Sequence, residues 1–421
     1  MRQRTLWALA ASVLAAACGG SNFTSVSDAG GGGDGGSSSS SGGSSGGSGS
    51  GGSSGSGSGS SSGSSSSSSG GGVADSGPGG ACDGGLTSCG GKCVDTGNDP
   101  QNCGGCGVVC NTQCVAGVCS LISADAGTPP KVGDNACLAI DATNVYWGTG
   151  LAAGSVWKVP ITGGAPVQLI GGQAAPHGMA SDGTTLFYGN QGTAATCTGT
   201  IESIPIGGTT STQIAMGQCV PLDVAVDAKN VYWTNSGDGS VWQSDKTNPN
   251  PMKIAGGNGA SPGYLRVDAT SVYFTSASNG MGVVSRVPIG GGTVTAVTSS
   301  VPSPGHIAID ATHAYFGSRG TTTAAILAVG LNGMGANPAQ TVTNLPALNG
   351  IETDGTHIWF AEATDVQPYA ANTGEIHRVT VGGANDKILA SKQNGPNCIA
   401  VDATSVYWIE TGGGMISKTG K

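Results

Sequence analysis

The chain is poor in charge. Asp, Glu, Lys and Arg make up 10% of its 421 residues, and 25 acids against 16 bases leave a formal net charge of −9. So few cations give no basic face, which argues against a nucleic acid or an anionic membrane as the ligand. Long apolar runs are lacking too: Leu6 to Ala17 is too short to span a bilayer comfortably. No nucleotide-binding loop, Ser-His-Asp order or His-Glu-x-x-His zinc motif occurs, so no standard catalytic signature is present.

Glycine is abundant instead, with 78 residues. Much of it lies in residues 18–81, a nearly pure Gly/Ser stretch that cannot bury a core and is expected to be a disordered tether. Flexible-chain scaling gives such a tether a reach of about 40–45 Å. Ahead of it, Arg2 and Arg4 followed by Leu6 to Ala17 read as a signal peptide over residues 1–17. Leu14-Ala15-Ala16-Ala17-Cys18-Gly19 resembles the bacterial lipobox, displaced by one place at Leu14. The resemblance implies lipidation of Cys18, and Gly19 in place of Asp leans toward an outer-membrane or cell-surface location. The implied partner is a membrane, reached through the lipid.

Residues 82–119 hold eight cysteines: Cys82, Cys89, Cys93, Cys103, Cys106, Cys110, Cys114 and Cys119. In an exported chain an even set predicts disulfides. Zinc is the rival reading, because Cys103 and Cys106 have ligand spacing. The run from Cys89 to Thr96, followed by Asp99 to Gly107, resembles the Stig1 Cys-rich module, which implies a small disulfide knot without catalytic residues.

The remainder repeats. Ile140-Asp141-Ala142-Thr143-Asn144-Val145-Tyr146-Trp147 returns around Asp227, Asp268 and Asp402, and more loosely around Asp182, Asp310 and Asp354. The seven aspartates are spaced by 41, 45, 41, 42, 44 and 48 residues. Each unit carries an apolar run, an Asp turn, a β-branched and aromatic strand and two further strands. One four-stranded sheet cannot bury both faces, so copies must stack. The expectation is an all-β, seven-bladed β-propeller of four-stranded blades over residues 127–421. The motif resembles the YWTD repeat and, more loosely, NHL and virginiamycin B lyase-type repeats. That resemblance implies the fold rather than a function, because the scaffold serves many. The last unit lacks a fourth strand, and residues 127–132 are expected to pair with Met415 to Lys418 and close the ring.

Of the remaining cysteines, Cys137 and Cys398 occupy the same repeat position in the first and last units, and Cys197 and Cys219 fall in loops on one face. Disulfides 137–398 and 197–219 are therefore expected. The recurring Asp residues read as turn formers and the Tyr-Trp pairs as core between blades.

Four and five residues before the repeat Asp lie the starts of the innermost strands, which ring the mouth of a central channel. His177, Asp223, Tyr264, His306, Asn349 and Asn397 stand there, with Arg266 and Glu352 deeper where most units carry Ala. This set is the candidate ligand-binding site; His with carboxylate suits binding or acid–base work. No cofactor is implied. The reading that follows is a surface-tethered, non-catalytic binding protein for a protein or glycan. Its rivals are an extracytoplasmic hydrolase or lyase with its site at the channel mouth, and a structural envelope protein without ligand.

Overall fold

A computed structural model describes residues 82–122, 138–256, 261–319, 323–333, 338–363, 373–412 and 414–421. The signal peptide, Cys18, the tether, Cys137 and residues 127–132 lie outside the described residues.

The repeats fold as seven blades around one axis, and the described residues contain no helix. In the Cys-rich segment lie β1 (Thr87–Cys89), β2 (Lys92–Val94), β3 (Gln113–Val115) and β4 (Val118–Ser120). Blade one comprises β5 (Leu138–Ile140), β6 (Asn144–Gly148), β7 (Gly154–Pro160) and β8 (Val167–Gln173). Blades two to six follow the same antiparallel order over residues 176–218, 221–256, 261–302, 304–345 and 348–393. Their innermost strands are β9 (Pro176–Ser181), β13 (Pro221–Val226), β17 (Ser261–Val267), β21 (Pro304–Ile309) and β25 (Leu348–Thr353). Blade seven has β29 (Pro396–Val401), β30 (Ser405–Glu410) and β31 (Met415–Gly420) of its own.

The fourth strand of blade seven comes from the N-terminal side, but not from residues 127–132. The strand beside β31 is β4, with Ser120 opposite Ser417 and Cys119 opposite Lys418, and β3 lies outside it. Val118-Cys119-Ser120 carries no repeat signature and its cysteine belongs to the eight-Cys segment, so nothing in the sequence marks it as the donor. The ring is closed by packing as well: β29 meets β5, and Leu138 and Cys398 share one apolar cluster.

The turn reading of the repeat Asp holds in all seven blades. Its Oδ1 accepts the amides two and three residues on at 2.6–3.0 Å, replacing backbone partners that a tight turn lacks. In five blades Oδ2 accepts the hydroxyl of the Tyr five residues on, from 2.5 Å at Tyr146 to 2.9 Å at Tyr273. Tyr146, Tyr232 and Tyr407 are buried core, as are Trp147, Trp233 and Trp408.

A second repeated device joins neighbouring blades. Gln173 Oε1 accepts Tyr188 Oη–H and Asn190 Nδ2–H at 2.9 Å. Gln218 Oε1 likewise accepts Trp233 Nε1–H at 2.7 Å, and Gln393 Oε1 accepts Trp408 Nε1–H at 3.1 Å. Val301 and Leu345 hold the equivalent place before blades whose aromatic, Phe316 or Phe360, has no polar handle. The Gln stands where the next blade has a donor to satisfy.

Five disulfides join described residues to one another: Cys82–Cys93, Cys89–Cys106, Cys103–Cys114, Cys110–Cys119 and Cys197–Cys219. Cys103 and Cys106 thus belong to different disulfides, which removes the zinc alternative for that pair. Cys398 is disulfide-bonded and fully buried.

Candidate functional site

The innermost strands deliver each sequence-selected residue to the axis, but as a filled core and not as an open mouth. His177, Asp223, Tyr264, Arg266, His306, Asn349, Glu352 and Asn397 are all at most 7% exposed. Partners close at hand explain the difference: His177 and Asp223 bond backbone of the next blade, Asn349 bonds Arg319 and Asn397 bonds the adjacent amide, and burial requires that each polar group take such a partner.

Three of them form one ionic group. Arg266 on β17 reaches Glu352 Oε2 on β25 at 3.3 Å and Asp223 Oδ2 on β13 at 3.6 Å. Its Nη1 also donates to its neighbour's carbonyl, Leu265 O, at 2.8 Å. Asp223 is fully buried and accepts the amides of Leu265 and Val224 at 2.9 and 3.0 Å. Burial pushes its carboxyl up to about 7, against the pull of Arg266 and those two amides. One guanidinium is shared by two carboxyl groups.

His177 Nδ1 lies 2.9 Å from the carbonyl of Leu222, the residue before Asp223, so that nitrogen carries the hydrogen. Burial drives its pKa down to about 4 and the ring is neutral at pH 7. Tyr264 and His306 are in ring contact, tilted, with centroids 3.9 Å apart and planes 31° from parallel. Asn349 Oδ1 accepts Arg319 Nη2–H at 3.1 Å. Asn397 Oδ1 accepts the amide of Cys398 at 2.8 Å and joins none of the others.

Sequence reasoning missed several members. Arg319 lies at the end of a second strand, outside the compared positions. Thr234 and Thr275 cap the inner strands by accepting the amides of Asp223 and Tyr264, both at 3.2 Å. A separate polar cluster on blade six was missed too. His377 Nδ1 faces Asp386 Oδ1 at 3.0 Å, and its Nε2 faces Glu375 Oε2 at 3.1 Å and Glu362 Oε2 at 3.5 Å. Burial raises the pKa of Glu362, against the pull of His377. The alternation Glu375-x-His377 in a strand was the available signal, since it puts both on one face. Among the described residues no group of three or more His, Cys, Asp or Glu is disposed to hold a metal ion.

Fold and site together define a closed seven-bladed β-propeller whose channel is filled by its own polar side chains. Comparison with solved structures supports that class. A streptogramin B lyase structure superposes with a TM-score of 0.54 at 14% identity, covering 69% of this chain and 94% of that one. BamB from Moraxella catarrhalis gives 0.46 at 19% identity over 68% and 82%, and a nidogen/laminin complex 0.42 at 17% over 54% and 85%. At 14% identity the likeness to the streptogramin B lyase structure is one of fold. No family model matches the chain, and no curated protein matches it. The disulfides fit an extracytoplasmic protein.

Proposed function

We propose that this chain is a non-catalytic recognition protein, held outside the cytoplasm by a lipid on Cys18 and presented on its Gly/Ser tether at the outer membrane or cell surface. One observation supports it most: the acid–base side chains of the channel are buried and bonded to one another or to backbone, leaving a rigid scaffold with no exposed reactive pair. The ligand, a protein or a glycan, is read by the channel-mouth face of the propeller, beneath which His177, Asp223, Tyr264, Arg266, His306, Asn349, Glu352 and Asn397 set the shape. No cofactor is required. The knot of residues 82–119 takes the part of a Stig1-like module. The test is a thermal-shift screen of the purified protein against glycans and divalent metals, since a ligand of the folded state raises the melting temperature by mass action. A glycan shift that Asn349→Ala or Asn397→Ala removes supports the reading.

A second reading, an extracytoplasmic hydrolase or lyase, is favoured by one fact. Asp223, with a pKa of about 7, and neutral His177 would provide an acid and a base at the same pH. Turnover of an ester, lactone or glycoside that His177→Ala abolishes without loss of fold would replace the first reading with this one.

A further inference from the structure

We propose that the Cys-rich module is the clasp of the propeller, and that formation of its two inner disulfides is what lets the ring close. The module thereby acts as an oxidation-dependent lock rather than as a separate head.

Blade seven owns three strands and borrows its fourth. The lender, β4, is three residues long and pairs with β3, also three residues. A hairpin that short has little stability in water. Here Cys114 and Cys119 are opposite each other across the hairpin, and each is bonded back into the module, to Cys103 and Cys110. The two disulfides fix both strands before they meet β31, which removes the ordering cost from docking.

The disulfides are also inside the joint. Cys103, Cys110, Cys119, Leu121 and Ile122 are at most 2% exposed and share one apolar cluster with Ile416 of blade seven and Leu138 of blade one. Polar ties reach both sides of the seam. On blade seven, the amide of Leu121 donates to Ile416 O at 2.8 Å, and Thr419 Oγ1 donates to Gly117 O at 2.9 Å. On blade one, the amide of Asn111 donates to Thr162 O at 2.6 Å, and the amide of Gly164 donates to Leu121 O at 2.9 Å. The β1–β2 hairpin, with Cys82–Cys93, forms its own two-stranded sheet outside this joint.

Each clasp disulfide forms when two thiols lose two electrons and two protons to a disulfide-bearing oxidant, which leaves as a dithiol. In a reducing compartment β4 would stay loose and β31 would keep an open edge.

The test uses the full chain with Cys110→Ser/Cys119→Ser, and Cys82→Ser/Cys93→Ser as the comparison. The clasp variant should melt about 10 °C lower. Amides of β31 should exchange at least about tenfold faster, while β17 keeps its protection. The comparison variant should leave β31 protected. If β31 in the clasp variant exchanges as slowly as in the parent, the proposal is overturned. Should that variant not fold, Leu121→Asp, which keeps every disulfide, supplies the measurement. Loss of protection at β31 upholds the clasp there, and retained protection overturns it.

Discussion

Lys421 Nζ stands 4.4 Å above the centre of the Trp359 ring and 3.6 Å from Asp354 Oδ2. Lys246 does the same four blades earlier, 5.7 Å over Phe187 and 2.6 Å from Asp182 Oδ2. Phe187 and Trp359 occupy the place that holds Tyr in the other five repeats, so Oδ2 of their aspartates has no Tyr hydroxyl to accept. In each case the following blade puts Lys where the other blades have Ile161, Ile206, Ile289, Leu331 or Val381. One ammonium replaces the lost donor and covers the ring left in its place. Burial works against the charge on Asp182, but Lys246 and the turn amides outweigh it and hold that carboxyl below the ordinary range.

This compensation predicts a coupled pair. Lys246→Ile alone should cost about 1–2 kcal/mol, because Asp182 loses a charged donor. Adding Phe187→Tyr should recover most of that loss, since the pair then matches the other repeats. A double-mutant cycle in urea reads it, and strict additivity would sink the idea.

The repeat Asp should matter more than any surface carboxylate. Asp402→Ala removes the acceptor for the amides of Thr404 and Ser405 and for Tyr407 Oη–H, leaving a buried hydroxyl without its partner. The expected cost is about 2–4 kcal/mol. Asp245→Ala, at a comparable turn but without a Tyr partner, should cost about 1 kcal/mol. Equal melting temperatures for the two variants would refute the ranking.

Fold and site were legible to different depths. The seven-fold Asp and Tyr-Trp period encodes strand, turn and core together, so blade number followed from spacing alone. The Gln173, Gln218 and Gln393 links were also readable, as a Gln three residues before the Pro that opens the next blade, but only by comparing each blade with its successor. Closure by β4 was not readable, because three residues of Val118-Cys119-Ser120 carry no repeat signature and their role is set by what docks on them. The channel group was half readable. Charges at Arg266 and Glu352 stood out where Ala recurs, and they do pair. That all eight positions would be buried depended on how inner strands crowd at the axis, which sequence spacing does not express.

Anchoring is tested by Cys18→Ser. The small residues before Cys18 motivate it. The parent should fractionate with membranes and the variant should appear in the soluble exported fraction. An unmodified Cys18 thiol in the mass spectrum of the mature parent would rule the lipid out.

The channel group predicts how stability depends on pH, and the sign follows from its two titrating members. Asp223 has a folded pKa raised from 3.8 to about 7, so the folded state holds a proton that the unfolded chain has released between those values. Its contribution is therefore fully present below pH about 4 and is lost as pH rises toward 7. His177, lowered from 6.5 to about 4, works the other way: its contribution is present above pH 6.5 and is lost as pH falls toward 4. In the parent the two slopes oppose each other and the profile between pH 4 and 7 should be shallow. Asp223→Asn removes one of them. The amide oxygen can still accept the bond from the Leu265 amide, and the side chain no longer brings a charge into the axis. Stability of the variant relative to the parent should rise by about 2–4 kcal/mol from pH 4 to pH 8. The slope left in the variant between pH 4 and 6.5 should then be that of His177, with stability increasing as pH increases. Urea titrations of both chains at pH 4, 6 and 8 measure it. A difference between them that stays constant with pH would mean that Arg266 keeps Asp223 ionised throughout.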